Sequence, residues 1–227
     1  MKQQITNIAS LIDHTLLKAE ATSSQIEQLC QEAISFDFAT VFVNPFWVNF
    51  CHNVLKNSRI RVGSVVGFPL GATTSKIKAY ETENEIEDGA NEVDMVMNVG
   101  SFKDSNFKLV EEDIATIKKI CGKEIILKVI IEMGLLTDHE KKEAALLVKN
   151  SGADFVKTNT GLGTGGATVQ DVKLIRETVG PKFGVKASGG IRDYLSVLKL
   201  IGAGATRIGT SASVKIMQEM LQEQKSL

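Results

Sequence analysis

Short β-rich runs alternate with helical stretches along the whole chain, and this alternation constrains the fold more than any other feature. The extended runs fall at 11–17, 39–43, 61–66, 92–96, 124–131, 154–156, 183–186 and 205–208. Between them lie segments with helix signals. Thr22-Ser-Ser-Gln25 offers N-cap residues for a helix to about Ser35, with Ile26, Leu29, Cys30 and Ala33 on its inner stripe. Asn44-Pro45 opens a second, and a third is capped near Thr73 or Thr74 and ends at Gly89. Further helices are predicted over most of 102–121, from Thr137-Asp138 to Gly152, over 168–179 and 191–201, and at the C-terminus. Strands joined by helical crossovers pair in parallel. Eight such units in 227 residues, with no linker or composition break, predict one domain over 1–227. The expected fold is α/β, a single (β/α)8 TIM barrel with a closed parallel sheet. The competing open, doubly wound sheet usually stops at five or six strands.

An internal echo agrees with the barrel. Gly89-Ala-Asn-Glu-Val-Asp94, Gly152-Ala-Asp-Phe-Val-Lys157 and Gly204-Ala-Thr-Arg-Ile-Gly209 share one pattern, a helix-ending glycine followed by a strand. The shared offset predicts Asp94, Lys157 and Gly209 at equivalent heights on three strands. Alternate strand residues face opposite ways. With Val93 and Met95 against the helices, Asp94 points into the barrel. With Ile125, Leu127, Val129 and Ile131 outward, Lys128 and Glu132 point in. The same parity turns Lys157 inward beside Val156, and Lys186 inward beside Val185. Charged residues from four consecutive strands therefore converge on the C-terminal mouth, where this fold builds active sites. A purely structural ion-pair network would need no more than this pattern.

The lysine pair narrows the chemistry. Adjacent strands lie about 4.8 Å apart, so the amines of Lys157 and Lys186 come within mutual range. Like charges in a dry cavity disfavour protonation of at least one of them. An ordinary lysine is only about 0.1% neutral near neutrality, and a shift of about three units costs about 4 kcal/mol. An imine-forming enzyme requires that cost. Asp94 adds a carboxylate that can move protons directly or through a water. Amine nucleophile, helper cation and proton relay together suggest aldol or decarboxylation chemistry with neither metal nor cofactor. Strand parity alone does not choose between the two lysines.

Glycine turns add an anion signal. Ser188-Gly189-Gly190 follows the seventh strand and Gly209-Thr210-Ser211 the eighth, each read as running into a helix start. Such turns aim backbone N–H groups at phosphate, at the loops where this barrel usually grips it. Thr160-Gly-Leu-Gly-Thr-Gly-Gly166 could close over that site.

Composition excludes other classes. The net charge of -1, with no basic block, argues against nucleic acid as a partner. No segment reaches the roughly 18 apolar residues of a membrane span, and the N-terminus has no apolar run of signal length. Cys30, Cys51 and Cys121 show no paired or metal-binding spacing, and read as buried thiols of a reducing, cytoplasmic protein. His14, His52 and His139 are too dispersed for a metal trio. The acidic run 81–87 reads as a solvated helix face, and Met217 and Met220 as core or subunit contact.

At these residues the sequence closely resembles the deoxyribose-phosphate aldolase family, whose members are class I aldolases on a (β/α)8 barrel. The resemblance runs through Ile12-Asp-His-Thr-Leu-Leu-Lys18, 41–45, Val65-Val-Gly-Phe-Pro69, Glu92-Val-Asp-Met-Val96, 128–131, 152–158, Lys186-Ala-Ser-Gly-Gly190 and Arg207-Ile-Gly-Thr-Ser211. It implies that Lys157 forms the Schiff base, that Lys186 is the cation tuning it, and that Asp94 is the proton donor and acceptor. It further implies that Gly161, Gly189, Gly190, Gly209 and Ser211 hold a substrate phosphate, with Asp13 and Lys128 lining the site. The implied reaction is reversible cleavage of 2-deoxy-D-ribose 5-phosphate to D-glyceraldehyde 3-phosphate and acetaldehyde, in deoxyribose phosphate catabolism by a homodimer. The family usually has Ser at Asn159, Phe at Leu162, Thr at Met133, Pro at Ala19 and Cys at Phe42. These departures spare Lys157, Lys186 and Asp94.

Overall fold

Each strand begins where a helix has been stopped, and the stops are explicit in the sequence. Asp37 ends the first helix in a left-handed conformation (φ 62°), and Gly89, Gly152 and Gly204 make left-handed turns (φ 84° to 113°) before their strands. Helix starts are equally local. Thr137 accepts the Glu140 N–H at 3.3 Å, while the Glu140 carboxylate accepts the Thr137 N–H at 2.7 Å.

A computed structural model describes residues 8–163 and 165–225; the N-terminal lead 1–7, with the signal-peptide expectation, and Thr164 of the 160–166 loop lie outside it. The elements run β1 (Ile12–Leu16), α1 (Ser23–Phe36), β2 (Thr40–Val43), α2 (Val48–Leu55), β3 (Arg61–Val66) and α3 (Ser75–Glu87). Then come β4 (Glu92–Val96), α4 (Val99–Lys103), α5 (Phe107–Cys121), β5 (Ile126–Ile130), α6 (Asp138–Asn150) and β6 (Phe155–Lys157). The chain closes with α7 (Val169–Val179), β7 (Gly184–Ser188), α8 (Tyr194–Gly202), β8 (Arg207–Thr210) and α9 (Ser213–Lys225). All neighbouring strands pair in parallel and β8 returns to β1, a closed TIM barrel. The outward strand residues Val41, Val93, Met95, Leu127, Val129, Val156, Val185 and Ile208 are fully buried against the helices.

The register stacks the inward residues in layers. Phe42 pairs with Gly63 and Gly63 with Glu92, so a two-residue step along β4 reaches Asp94. The same step leads from Asp94 through Lys128 and Phe155 to Lys157, and from Lys157 through Lys186 and Arg207 to Gly209. From Gly209 it returns through Asp13 and Thr40 to Phe42. Phe42, Asp94, Lys157 and Gly209 therefore form one layer from the even strands, the equal heights that the repeated motif predicts. Asp13, Gly63, Lys128 and Lys186 form the layer beneath it, and Thr40, Glu92, Phe155 and Arg207 the next. Layers of four from alternate strands are how this barrel fills its interior.

Several expectations are corrected. The helix expected over 102–121 is two, α4 and α5, broken where Ser105 turns left-handed (φ 58°). The helix expected from Ile191 starts at Tyr194, because Asp193 caps it by accepting the Ser196 N–H at 2.8 Å. Gly189 and Gly190 thus belong to a loop and not to a helix terminus. Gly209 lies inside β8 and not in a turn. The acidic run is not uniformly solvated: Glu85 is buried, and burial, with Glu81 adding, pushes its carboxyl up to about 9.

Interior glycines match interior bulk. A Cβ at Gly63 would lie 2.4 Å from the Phe42 ring, one at Gly184 2.4 Å from the Phe155 ring, and one at Gly209 2.9 Å from the Lys186 stem. Gly63→Ala is expected to cost about 1–3 kcal/mol by overpacking, read as a lower denaturant midpoint. Adding Phe42→Leu should recover most of the loss; a Gly63→Ala protein as stable as the parent would contradict this packing.

Candidate active site

A buried charge must be paired, and seven of the twelve residues in the three interior layers are charged. Asp13, Glu92, Asp94, Lys128 and Lys186 are fully buried, and Lys157 nearly so. Asp94 is the centre. Its Oδ1 accepts from Lys128 Nζ at 3.0 Å, and its Oδ2 from both Lys157 Nζ at 2.8 Å and Lys186 Nζ at 2.7 Å. One layer down, Asp13 binds Lys186 at 2.5 Å and Arg207 at 2.6 Å. Glu92 binds Lys128 at 2.6 Å and Arg207 at 3.0 Å. Three carboxylates thus face three lysines and Arg207, and one positive charge is left over. Phe42 offers that excess a ring face: its centroid lies 3.8 Å from Lys186 Nζ and 4.4 Å from Lys128 Nζ.

Proton affinities divide accordingly. Burial works against the Asp94 carboxylate, but Lys128, Lys157 and Lys186 outweigh it and hold the group far below the usual carboxylate range. Burial also opposes the Lys128 ammonium, yet Asp94, Glu92 and Asp13 raise it above an ordinary lysine. Lys186 goes the other way: burial brings it down to about 8, Asp13 and Asp94 only partly opposing, while Lys157 and Lys128 lower it further. Dehydration, more than the adjacent amine, is the leading cause.

Above these layers opens a cavity of about 270 Å³. Lys157, Lys186 and Phe42 form its floor; Thr160–Leu162, the segment from Ser188 to Arg192, Gly209–Ser211 and Thr15–Lys18 form its walls. The predicted residues Lys157, Lys186, Gly161, Gly189, Gly190, Gly209 and Ser211 meet at this cavity, with Asp94, Asp13 and Lys128 buried below it. The two glycine loops touch through their backbones: Ala167 N–H donates to Gly189 O at 3.0 Å, and a Cβ at Gly166 would lie 2.6 Å from that oxygen. Gly209 serves mainly as room for the Lys186 stem. Its lack of a side chain lets one lysine cross to Asp94.

Strand parity, applied two residues earlier, would also have reached Glu92 and Arg207, which sequence reasoning left aside. Phe42 as a cation–π floor has no sequence signal. Neither do Lys18 and Arg192 at the rim, nor the lining role of Thr15–Leu17. His14 lies apart from the cavity, its ring nitrogens bonded to Ser213 Oγ at 2.9 Å and Glu32 Oε2 at 2.8 Å. His139 is exposed at the start of α6. Cys30, Cys51 and Cys121 are free and buried. Among the described residues, no cluster of three metal-ligating side chains occurs, and no helix is long and apolar enough to cross a membrane.

Residues 7–219 match the model of the DeoC/LacD family aldolases. The chain is 56% identical over 212 residues to a deoxyribose-phosphate aldolase from Geobacillus sp., covering 93% of this chain and 95% of that one. It is likewise 56% identical to one from Streptococcus uberis, over 92% of this chain and 95% of the relative. Among solved structures, the tetrameric deoxyribose phosphate aldolase from Aeropyrum pernix superposes with a TM-score of 0.88 at 32% identity. That match covers 94% of this chain and 90% of the other.

The ion cluster carries a pH signature. Asp13 is held down to about 2 from 3.8, its three cationic neighbours outweighing burial. A depressed carboxylate stabilises the fold above its ordinary value, and that contribution disappears as pH falls through the lowered one. Asp13→Asn is expected to cost about 3 kcal/mol near neutrality and to flatten the stability–pH slope between 3.8 and about 2. An unchanged slope in acid unfolding would contradict the pairing.

Proposed function

The chain belongs to the DeoC/LacD family and is an aldolase, and from that premise we propose that it reversibly cleaves 2-deoxy-D-ribose 5-phosphate to D-glyceraldehyde 3-phosphate and acetaldehyde through a Schiff base on Lys157. The observation that carries the reading is the single oxygen Asp94 Oδ2, shared by Lys157 and Lys186 at 2.8 and 2.7 Å directly beneath the cavity. Of the two amines, Lys157 is the higher in the barrel and the nearer to the mouth. It can reach a carbonyl without leaving Asp94 behind.

The steps follow from that geometry. The neutral amine of Lys157 adds to the aldehyde carbon of the open sugar, and loss of water leaves an iminium. The iminium withdraws the electron pair of the bond between C2 and C3, the bond that separates a two-carbon from a three-carbon fragment, as the C3 hydroxyl gives its proton to the Asp94 relay and becomes the aldehyde of the released three-carbon product. Asp94 touches both amines, so it can exchange protons with either by direct contact. The field of Lys128, held charged from below, opposes protonation of Asp94 and favours passing a proton onward. Protonation of the enamine at C2 and addition of water then release acetaldehyde and restore the lysine. Lys186, which loses its proton near 8, is the partner able to give and regain one near neutrality.

The phosphate is assigned to the glycine loops after β6 and β7 and to Gly209 and Ser211, where left-handed Gly161 (φ 84°), Gly189 (φ 96°) and Gly190 (φ 74°) leave backbone groups uncovered by side chains. Self-association belongs to the same reading: we propose a homodimer. Helix α3 buries Lys78, Thr82 and Glu85 while exposing Ile77 and Tyr80, and Phe46 and Leu70 are exposed as well.

Incubation with acetaldehyde and borohydride, followed by peptide mass analysis, tests the assignment. A reduced two-carbon adduct is expected on the peptide containing Lys157, and none in Lys157→Leu. An adduct on Lys186 instead, or cleavage of the sugar phosphate by Lys157→Leu at the parent rate, would refute it.

A further inference from the structure

Glu132 is the inward residue of the fifth strand that the chemistry above leaves without a task. It stands two residues past the end of β5 and takes a left-handed backbone conformation (φ 51°, ψ 67°), unfavourable for a residue with a Cβ. On either side of it the backbone is tied to β6: the Ile131 N–H donates to Lys157 O at 3.1 Å and the Met133 N–H to Thr158 O at 3.0 Å. The left-handed turn between these two bonds sends the carboxylate across the end of β6. There Oε2 accepts the Thr160 N–H at 3.1 Å, while Oε1 is buried without a hydrogen-bond partner. Gly163 closes the other side, where a Cβ would lie 2.9 Å from Oε1. The Thr160 hydroxyl oxygen accepts the N–H groups of Leu162 at 3.1 Å and Gly163 at 3.2 Å. Carboxylate, Thr160 and Gly163 thus form one knot behind the loop, whose front, Thr160–Leu162, is a wall of the cavity.

We infer that Glu132 is a positioning residue that holds the β6–α7 loop where the Gly161 backbone meets the substrate phosphate. It does so without touching substrate, since its carboxylate lies behind the wall. The inference rests on the reaction proposed above. Both a strained backbone and an orphaned carboxylate oxygen are unfavourable for stability alone. Both are explained if the gain is loop placement. The same contact reaches the catalytic strand, because the amides flanking Glu132 bind the carbonyls of Lys157 and Thr158.

Kinetics with 2-deoxyribose 5-phosphate and with unphosphorylated 2-deoxyribose, beside acetaldehyde–borohydride trapping, test this. Glu132→Ala is expected to raise KM for the phosphorylated sugar by about tenfold or more, the worth of one charge-assisted hydrogen bond. Turnover of the unphosphorylated sugar and trapping at Lys157 should stay within about twofold of the parent. Glu132→Gln keeps an acceptor for the Thr160 N–H and should remain close to the parent. Gly163→Ala pushes the same knot from the other side and should reproduce the Glu132→Ala pattern; it carries the comparison if Glu132→Ala does not fold. Equal effects on both sugars, or no effect on either, would overturn the inference. Absence of trapping in the parent would instead overturn the proposed reaction.

Discussion

One carboxylate holds the middle of this protein together. Asp94 accepts from three lysines of three strands; Lys186 and Lys128 have Asp13 and Glu92 as further partners, whereas among the described residues Lys157 pairs with Asp94 alone. Ammonium groups this deeply buried would be prohibitive without such a partner. With Arg207 the cations outnumber the acids, as three carboxylates face three lysines and one guanidinium. The excess is tolerated by a ring face at Phe42 and by the weakened hold of Lys186 on its proton. The barrel's register makes this possible. Two residues of advance per two strands place acid and base together in each of three consecutive layers, so each charge finds an opposite within its own layer and, Lys157 apart, another one step up or down.

The same arrangement separates structural from reactive charge. Lys128 is gripped by Asp94 and Glu92 and stays protonated, acting as a fixed cation under the site. Lys186 sits beside the same Asp94 but gives up its proton far more easily. Lys157 occupies the layer nearest the mouth and shares its acceptor oxygen with Lys186. Three identical side chains around one carboxylate, two of them in the same layer and one in the layer above, thus differ in exposure to the mouth and in hold on the proton.

Much of this is legible in the sequence because strand parity is strict. Once Val93 and Met95 are assigned to the helices, Asp94 must face inward, and Lys128, Lys157 and Lys186 follow by the same rule. The repeated glycine-led motif gives Asp94, Lys157 and Gly209 a common height because each strand starts at the same offset from its helix. Periodicity fails where long-range packing decides. Glu85 sits in a run of acids that resembles a solvated face, yet α3 is rotated so that its polar stripe meets the sheet and Ile77 and Tyr80 face out. Gly209 resembles a turn glycine, but its neighbour is the stem of Lys186 on another strand. The strain at Glu132 depends on where β6 ends, which local composition does not encode.

The most direct test of the account is to follow the side-chain amines of isotope-labelled lysine by NMR as pH rises. Lys186 should lose its proton near 8, while Lys128, bound to the same Asp94, keeps its own beyond the ordinary lysine value of 10.5. Replacing Asp94 by Asn should bring Lys128 down toward that value, Glu92 and Asp13 retaining part of the rise. If the two amines instead titrate together at the free-lysine value, the differentiated charge cluster described here does not exist.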